Sequence, residues 1–224
     1  MQNTLVIDPL DRTCTEVLTH DGQSEGRAKP GAEPVSLSVR QLASVPVFVL
    51  LGEPGMGKSE TMRALADHVE GEFITANDFI VVSSRHQRDA QPVLIDALDE
   101  ARAIGGTTVW MELRRGIAHA GLTRFGVACR VADWFASEKS ELATVAPSKT
   151  VRVFALDALS TEQRRMVLVH EGIQEVDTFE QQAQRLGFAD MLGPGRATPW
   201  ARSRASALSH RVAVWPELRT AAAW

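Results

Sequence analysis

Apolar and polar positions alternate along this chain in blocks, and the blocks predict an order of strands and helices. Val45 to Leu51 reads "VPVFVLL", an unbroken apolar run of the kind a strand needs when both of its faces are covered in a parallel sheet. In "KSETMRALADHVEG", Met62, Leu65, Ala66 and Val69 fall on one helical face before Gly71. "EFITANDFIVV" and "PVLIDALDE" follow as a second and a third β-like stretch. "TVWMELRRGIAHAG" places Val109, Leu113 and Ile117 at helical spacing and stops at Gly121. "RFGVACR" is a fourth strand, "VADWFASEKSELATVA" a helix and "TVRVFALDAL" a fifth strand. Ser160 with Gln163, and Asp177 with Glu180, have the capping-box spacing at the starts of two further helices. Repeated strand–helix units predict an α/β fold, a three-layer sandwich whose five-stranded, mostly parallel sheet has helices on both faces.

The organisation expected along the chain is an extension and linker over 1–44, a core over 45–159, the start of a helical subdomain over 160–193 and an irregular tail over 194–224. The linker assignment rests on the Gly, Pro, Ser and Glu of "HDGQSEGRAKPGAEPVSLS". The tail holds five of the arginines and a single acid, with three of the five Trp and no sustained period. It reads either as a basic arm for an anionic partner or, as the composition break favours, as an out-of-frame continuation.

At 44% hydrophobic and 23% charged residues the chain is that of a globular protein, and no apolar run is long enough to span a bilayer. No signal peptide opens it. With Cys14 and Cys129 far apart in sequence, free thiols in a reducing cytoplasm are expected. The net charge of −4 becomes −8 once the tail is set aside, so the acidic body is a poor candidate for nucleic-acid binding.

The chemistry is concentrated after Leu51. "GEPGMGKS" fits G-x-x-x-x-G-K-[ST], with Gly52, Gly57, Lys58 and Ser59 in the fixed places and Glu53, Pro54, Gly55, Met56 and Glu60 completing the loop and its helix. Glycines let backbone N–H groups approach phosphate oxygens, and a helix starting near Gly57 aims its free amides at the same place. Lys58 supplies a compact positive charge, and the Ser59 hydroxyl can ligate Mg²⁺. Asp96 ends an apolar strand, where a P-loop site needs an acid for Mg²⁺, and Asp99 or Glu100 could orient a water. Both could equally be dipole-favoured acids of a helix's first turn. Arg130, at the carboxyl end of the fourth strand, could sense a γ-phosphate or form a surface salt bridge. Trp134 reads as core. The expected ligands are therefore a nucleotide and Mg²⁺.

"GEPGMGKS", "PVLIDALDEA" and "FGVACRVADW" together resemble the NACHT-like members of the STAND class of P-loop NTPases, over about residues 45 to 192. These are ATP-dependent signalling switches, in bacteria frequently linked to phage defence. The resemblance implies that Gly52 to Ser59 cradle ATP, Asp96 holds Mg²⁺, Asp99 and Glu100 support hydrolysis and Arg130 stands at the sensor position. It also implies self-association or an effector domain outside this chain. The family's usual Gly-x-Pro or Asn-Pro turn after "ADML" is replaced here by "GPGRATPW". The alternatives are a truncated nucleotide-binding fragment without activity of its own and a small P-loop kinase, although no arginine-rich lid is apparent.

Overall fold

The computed structural model describes residues 7–17, 35–83, 91–170 and 172–185. They divide into two units, Asp8–Asp157 and the segment from Ala158 onward.

In the first unit a 3-10 turn over Pro9–Asp11 leads into Thr13–Glu16 (β1), followed by Ser36–Ser38 (β2) and Val39–Leu42 (α1). Then come Val47–Leu51 (β3), Lys58–His68 (α2), Glu72–Thr75 (β4), Ala76–Ser83 (α3), Val93–Asp96 (β5) and Leu98–Gly105 (α4). Thr108–Ala120 (α5), Phe125–Cys129 (β6), Ala136–Ala143 (α6) and Arg152–Leu156 (β7) complete the unit. The strands form one sheet in the order β2-β1-β7-β3-β6-β5-β4. β7, β3, β6, β5 and β4 are mutually parallel, whereas β1 runs antiparallel to both β2 and β7.

The sheet thus has seven strands, not five. The five parallel strands are those expected, and the two additional ones come from residues assigned to an extension and linker. Their short sequences, "TCTE" and "SLS", are held by backbone pairing at a sheet margin and need no apolar run. Two other expectations change. The strand read over "EFITANDFIVV" ends at Thr75, where the Thr75 hydroxyl accepts from the Asp78 N–H at 3.2 Å and starts α3. The helix read over "VADWFASEKSELATVA" is a 3-10 turn, Val131–Asp133, followed by the shorter α6. Its break at Trp134 and Phe135 is fixed from a distance: Arg102 on α4 donates to the Asp133 carbonyl and pairs with buried Glu138.

Burial explains the central run. Val47, Val49 and Leu51 enter one core with Leu98, Leu113 and Ile117, while Phe48 and Leu50 enter the other with Met62, Leu65 and Leu42. Each face of β3 is covered, so an alternating pattern would have left polar groups in a core. Trp134 packs on the first core, its ring edge-on to Trp110 at 5.8 Å. Cys14 and Cys129 are buried free thiols.

In the second unit, Thr161–His170 (α7) and Val176–Arg185 (α8) are described. The Ser160–Gln163 capping box is present, with reciprocal bonds of 2.9 and 3.1 Å. The Asp177–Glu180 box is not: α8 already begins at Val176, Asp177 pairs with Arg165, and Glu180 lies 3.6 Å from Arg164. Those acids join two helices where a cap was expected. The tail over 194–224 lies outside the described residues. Among the described residues no helix is long and apolar enough to cross a membrane.

Candidate functional site

Register brings the site residues to one edge. Leu51 is level with Cys129 on β6 and with Ala155 on β7, and Ile95 is level with Val127. Gly52 and Arg130, which follow Leu51 and Cys129, Asp96, which ends β5, and Asp157, which follows Leu156 at the end of β7, therefore lie at the same carboxyl margin, where open α/β sheets bind ligands.

The loop from Gly52 to Gly57 joins buried β3 to α2. Gly55 and Gly57 hold φ of 81° and 83°, a left-handed backbone that an L side chain adopts only with strain. Gly57 is the residue preceding α2, and no side chain caps that end. Its first amides are thus open to an acceptor from outside the helix. Within the loop the Glu53 N–H points to the Met56 Sδ at 3.1 Å, and the Met56 N–H donates to the Glu53 carbonyl at 3.2 Å. Pro54 is exposed at its tip, and Ser59 and Glu60 lie in the first turn of α2.

Lys58 folds back over the loop: its ammonium donates to the Gly52 carbonyl at 2.7 Å and to the Glu53 carbonyl at 3.1 Å. Burial holds its pKa below the ordinary value, Asp99 and Asp96 oppose that effect, and Arg130 adds to it. Lys58 therefore lies within electrostatic reach of Asp96, Asp99 and Arg130, but Glu100 is not among the groups that act on it.

Asp96 is buried at the end of β5, only 5% exposed. Among the described residues its carboxylate makes no hydrogen bond or ion pair. Ala97 then turns the chain with φ 59° and ψ 38°, a left-handed conformation in a non-glycine residue, which costs about 1–2 kcal/mol. That turn sets Asp99 and Glu100 in the first turn of α4. The two acids differ. The Asp99 side chain, 7% exposed, meets Arg130 Nε at 2.6 Å, whereas Glu100 is exposed. Arg130 thus stands where expected but is engaged by Asp99.

A hard-oxygen cation fits this donor set: an unpartnered buried carboxylate at Asp96, and the Ser59 hydroxyl one residue beyond Lys58. Among the described residues no three His, Cys, Asp or Glu side chains group into a metal cage, so such an ion would draw its remaining ligands from phosphate and water.

Two features escape the sequence patterns. Arg12, just ahead of β1 and 7% exposed, donates to the Met56 carbonyl and, at 2.6 Å, to the Asp157 carbonyl. Asp157 is itself fixed, its N–H donating to the Thr13 carbonyl at 3.0 Å and its carboxylate accepting from the Thr15 hydroxyl at 2.9 Å. Neither residue belongs to a local motif, because their partners are 44 and 145 positions away from Arg12.

No protein-family model matches the chain, and no curated protein resembles it in sequence. Among solved structures, the Holliday junction branch migration motor RuvB of Thermotoga maritima is similar to it at 14% identity and a TM-score of 0.35. That match covers 58% of this chain and 48% of the other, about half of its length. A functional reading rests on the loop and its side chains and not on this likeness.

Proposed function

We propose that the chain is an ATP-binding P-loop NTPase module that hydrolyses its nucleotide slowly. The observation that carries this reading is the loop Gly52–Gly57: two left-handed glycines between a strand buried on both faces and an uncapped helix, with Lys58 beside it. In this assignment the loop amides and Lys58 hold the phosphates, and Ser59 and Asp96 hold Mg²⁺, which would neutralise phosphate charge. Slow turnover is supported by the acids. Asp99 is occupied by Arg130, which leaves exposed Glu100 to orient water with no hydrogen bond or ion pair among the described residues to fix it.

The finer assignment, a NACHT-like STAND signalling switch, rests on the motif resemblance. The engaged Arg130–Asp99 pair is compatible with it, since a γ-phosphate could compete for Arg130. Partners beyond nucleotide, whether a second copy or an effector domain, and a defence role rest on the resemblance alone.

Titration of a fluorescent ATP analogue with and without Mg²⁺ tests the reading. Binding is expected in the wild type, Asp96→Asn should flatten the Mg²⁺ dependence, and Glu100→Gln should bind normally but hydrolyse more slowly. Absence of binding at millimolar nucleotide would sink it.

A further inference from the structure

We propose that Arg12 is a positioning residue for the phosphate loop, holding the Met56–Gly57 peptide from behind so that the loop meets a triphosphate already shaped. This rests on the nucleotide-binding reading above and adds to it a residue from outside every recognised motif.

One arm of the Arg12 guanidinium donates to the Met56 carbonyl, and no peptide among the described residues is cis. Across a trans peptide the C=O and the next N–H point in opposite directions. A Met56 carbonyl fixed toward Arg12 therefore turns the Gly57 N–H away from it. That amide immediately precedes those of Lys58 and Ser59 in the first turn of α2, so the Arg12 contact sets the orientation with which the series begins.

The other arm is anchored. It donates to the Asp157 carbonyl at 2.6 Å, and Asp157 is bound to Thr13 and Thr15 of β1. Arg12 enters from a short 3-10 turn that is itself fastened, the Asp8 carboxylate accepting from the Leu10 N–H at 2.9 Å. The loop is thus braced against the antiparallel margin of the sheet. A planar fork can serve two carbonyls at once, and a lysine ammonium on a flexible stem reproduces this poorly.

The fit leaves little slack. A Cβ added to Gly57 would lie 3.2 Å from the Arg12 guanidinium, in a residue whose φ of +83° already disfavours a side chain. Burial lowers the guanidinium's pKa and Asp157 and Glu60 oppose this, but an arginine stays charged throughout the working range. A fixed cation therefore lies behind the loop as well as Lys58 beside it. Rigid support of this kind lets binding energy go to the ligand and not to ordering the loop.

The test compares wild type, Arg12→Lys and Arg12→Met by titration with the fluorescent ATP analogue in Mg²⁺, each followed by urea unfolding and by the ¹⁵N–¹H resonance of Gly57. The folded Arg12→Met protein should bind about tenfold or more weaker, the scale of one lost charge-assisted hydrogen bond, with Arg12→Lys in between. Its Gly57 resonance should move before nucleotide is added. A role in stability alone predicts a lowered urea midpoint with wild-type affinity and an unmoved Gly57 resonance, and that result overturns the proposal. Should Arg12→Met not fold, Arg12→Lys decides by the same two readouts. If Lys58→Ala weakens binding while both Arg12 variants bind as wild type, only this inference fails. If the wild type does not bind, both fail.

Discussion

Replacing Lys58 by Ala tests the loop most directly, and the structure sets the size of the effect. In the free protein the ammonium is already hydrogen-bonded to the Gly52 and Glu53 carbonyls at 2.7 and 3.1 Å. Phosphate oxygens would replace those acceptors, so the hydrogen bonds largely cancel and the surviving gain is the attraction between ammonium and phosphate. For unit charges about 4 Å apart at an effective dielectric near 20, that attraction is about 4 kcal/mol, and partial exposure of Lys58 reduces it. A loss of about 2–4 kcal/mol is expected, roughly thirtyfold to a thousandfold in Kd. The fold should hold, because the carbonyls released are in a loop where water can reach Glu53; a stability loss of about 1 kcal/mol or less is expected. Fluorescence titration at two salt concentrations is the assay, with urea unfolding as control. Wild-type affinity should fall more steeply with salt than that of Lys58→Ala, since the removed term is ionic. A change in Kd below about threefold, with the fold intact, would refute phosphate contact by Lys58.

Arg130→Ala should weaken ATP binding more than ADP binding, by about tenfold, as measured by competition titration; equal losses would mark a purely structural ion pair with Asp99. Gly126→Ala should cost about 1–3 kcal/mol in urea unfolding, because the new methyl would lie within 2.8 Å of both Cε atoms of Phe48, and adding Phe48→Leu should recover part of it. Burial pushes the thiols of Cys14 and Cys129 up from 9.0 to about 12, so the folded protein keeps protons that the unfolded chain releases. Stability is then full below about pH 9 and falls toward pH 12; a flat alkaline limb in pH-dependent unfolding would contradict this.

What could be read in the sequence was whatever burial and backbone need leave in local patterns. β3 and its loop were legible because two covered faces demand an apolar run and a left-handed turn demands glycine. α5 was legible because Val109, Leu113 and Ile117 are all buried and Gly121 closes the helix at φ 62°. β1 and β2 were not, since "TCTE" and "SLS" owe their form to pairing with β7 and with each other. α3 departs from the strand expected there because Ile80, Val81 and Val82 favour strands, while the Thr75 cap and the burial of Phe79 decide for helix. At the site, the position of Arg130 followed from the end of β6, but its pairing with Asp99 depended on the turn at Ala97. Arg12 left no trace, for its partners are set by topology.

The pairings at the site define what a nucleotide would have to change. Lys58 has the loop carbonyls, Arg130 has Asp99 and Arg12 has Met56 and Asp157, whereas Asp96 makes no hydrogen bond or ion pair among the described residues. On the proposed reading, binding at this edge would be an exchange of partners, except at Asp96, where a cation would meet a carboxylate with no protein partner among the described residues. The exchange at Arg130 has a further reach. One helical turn after Asp99, Arg102 holds the Asp133 carbonyl and Glu138, so α4 is tied to the segment after β6 at two points one turn apart. A γ-phosphate that drew Arg130 from Asp99 would release the first of these ties and leave the second. Under the proposed reading ADP, which has no such group, would leave both in place, and the segment from Val131 to Glu138 would have two states that differ by one ion pair.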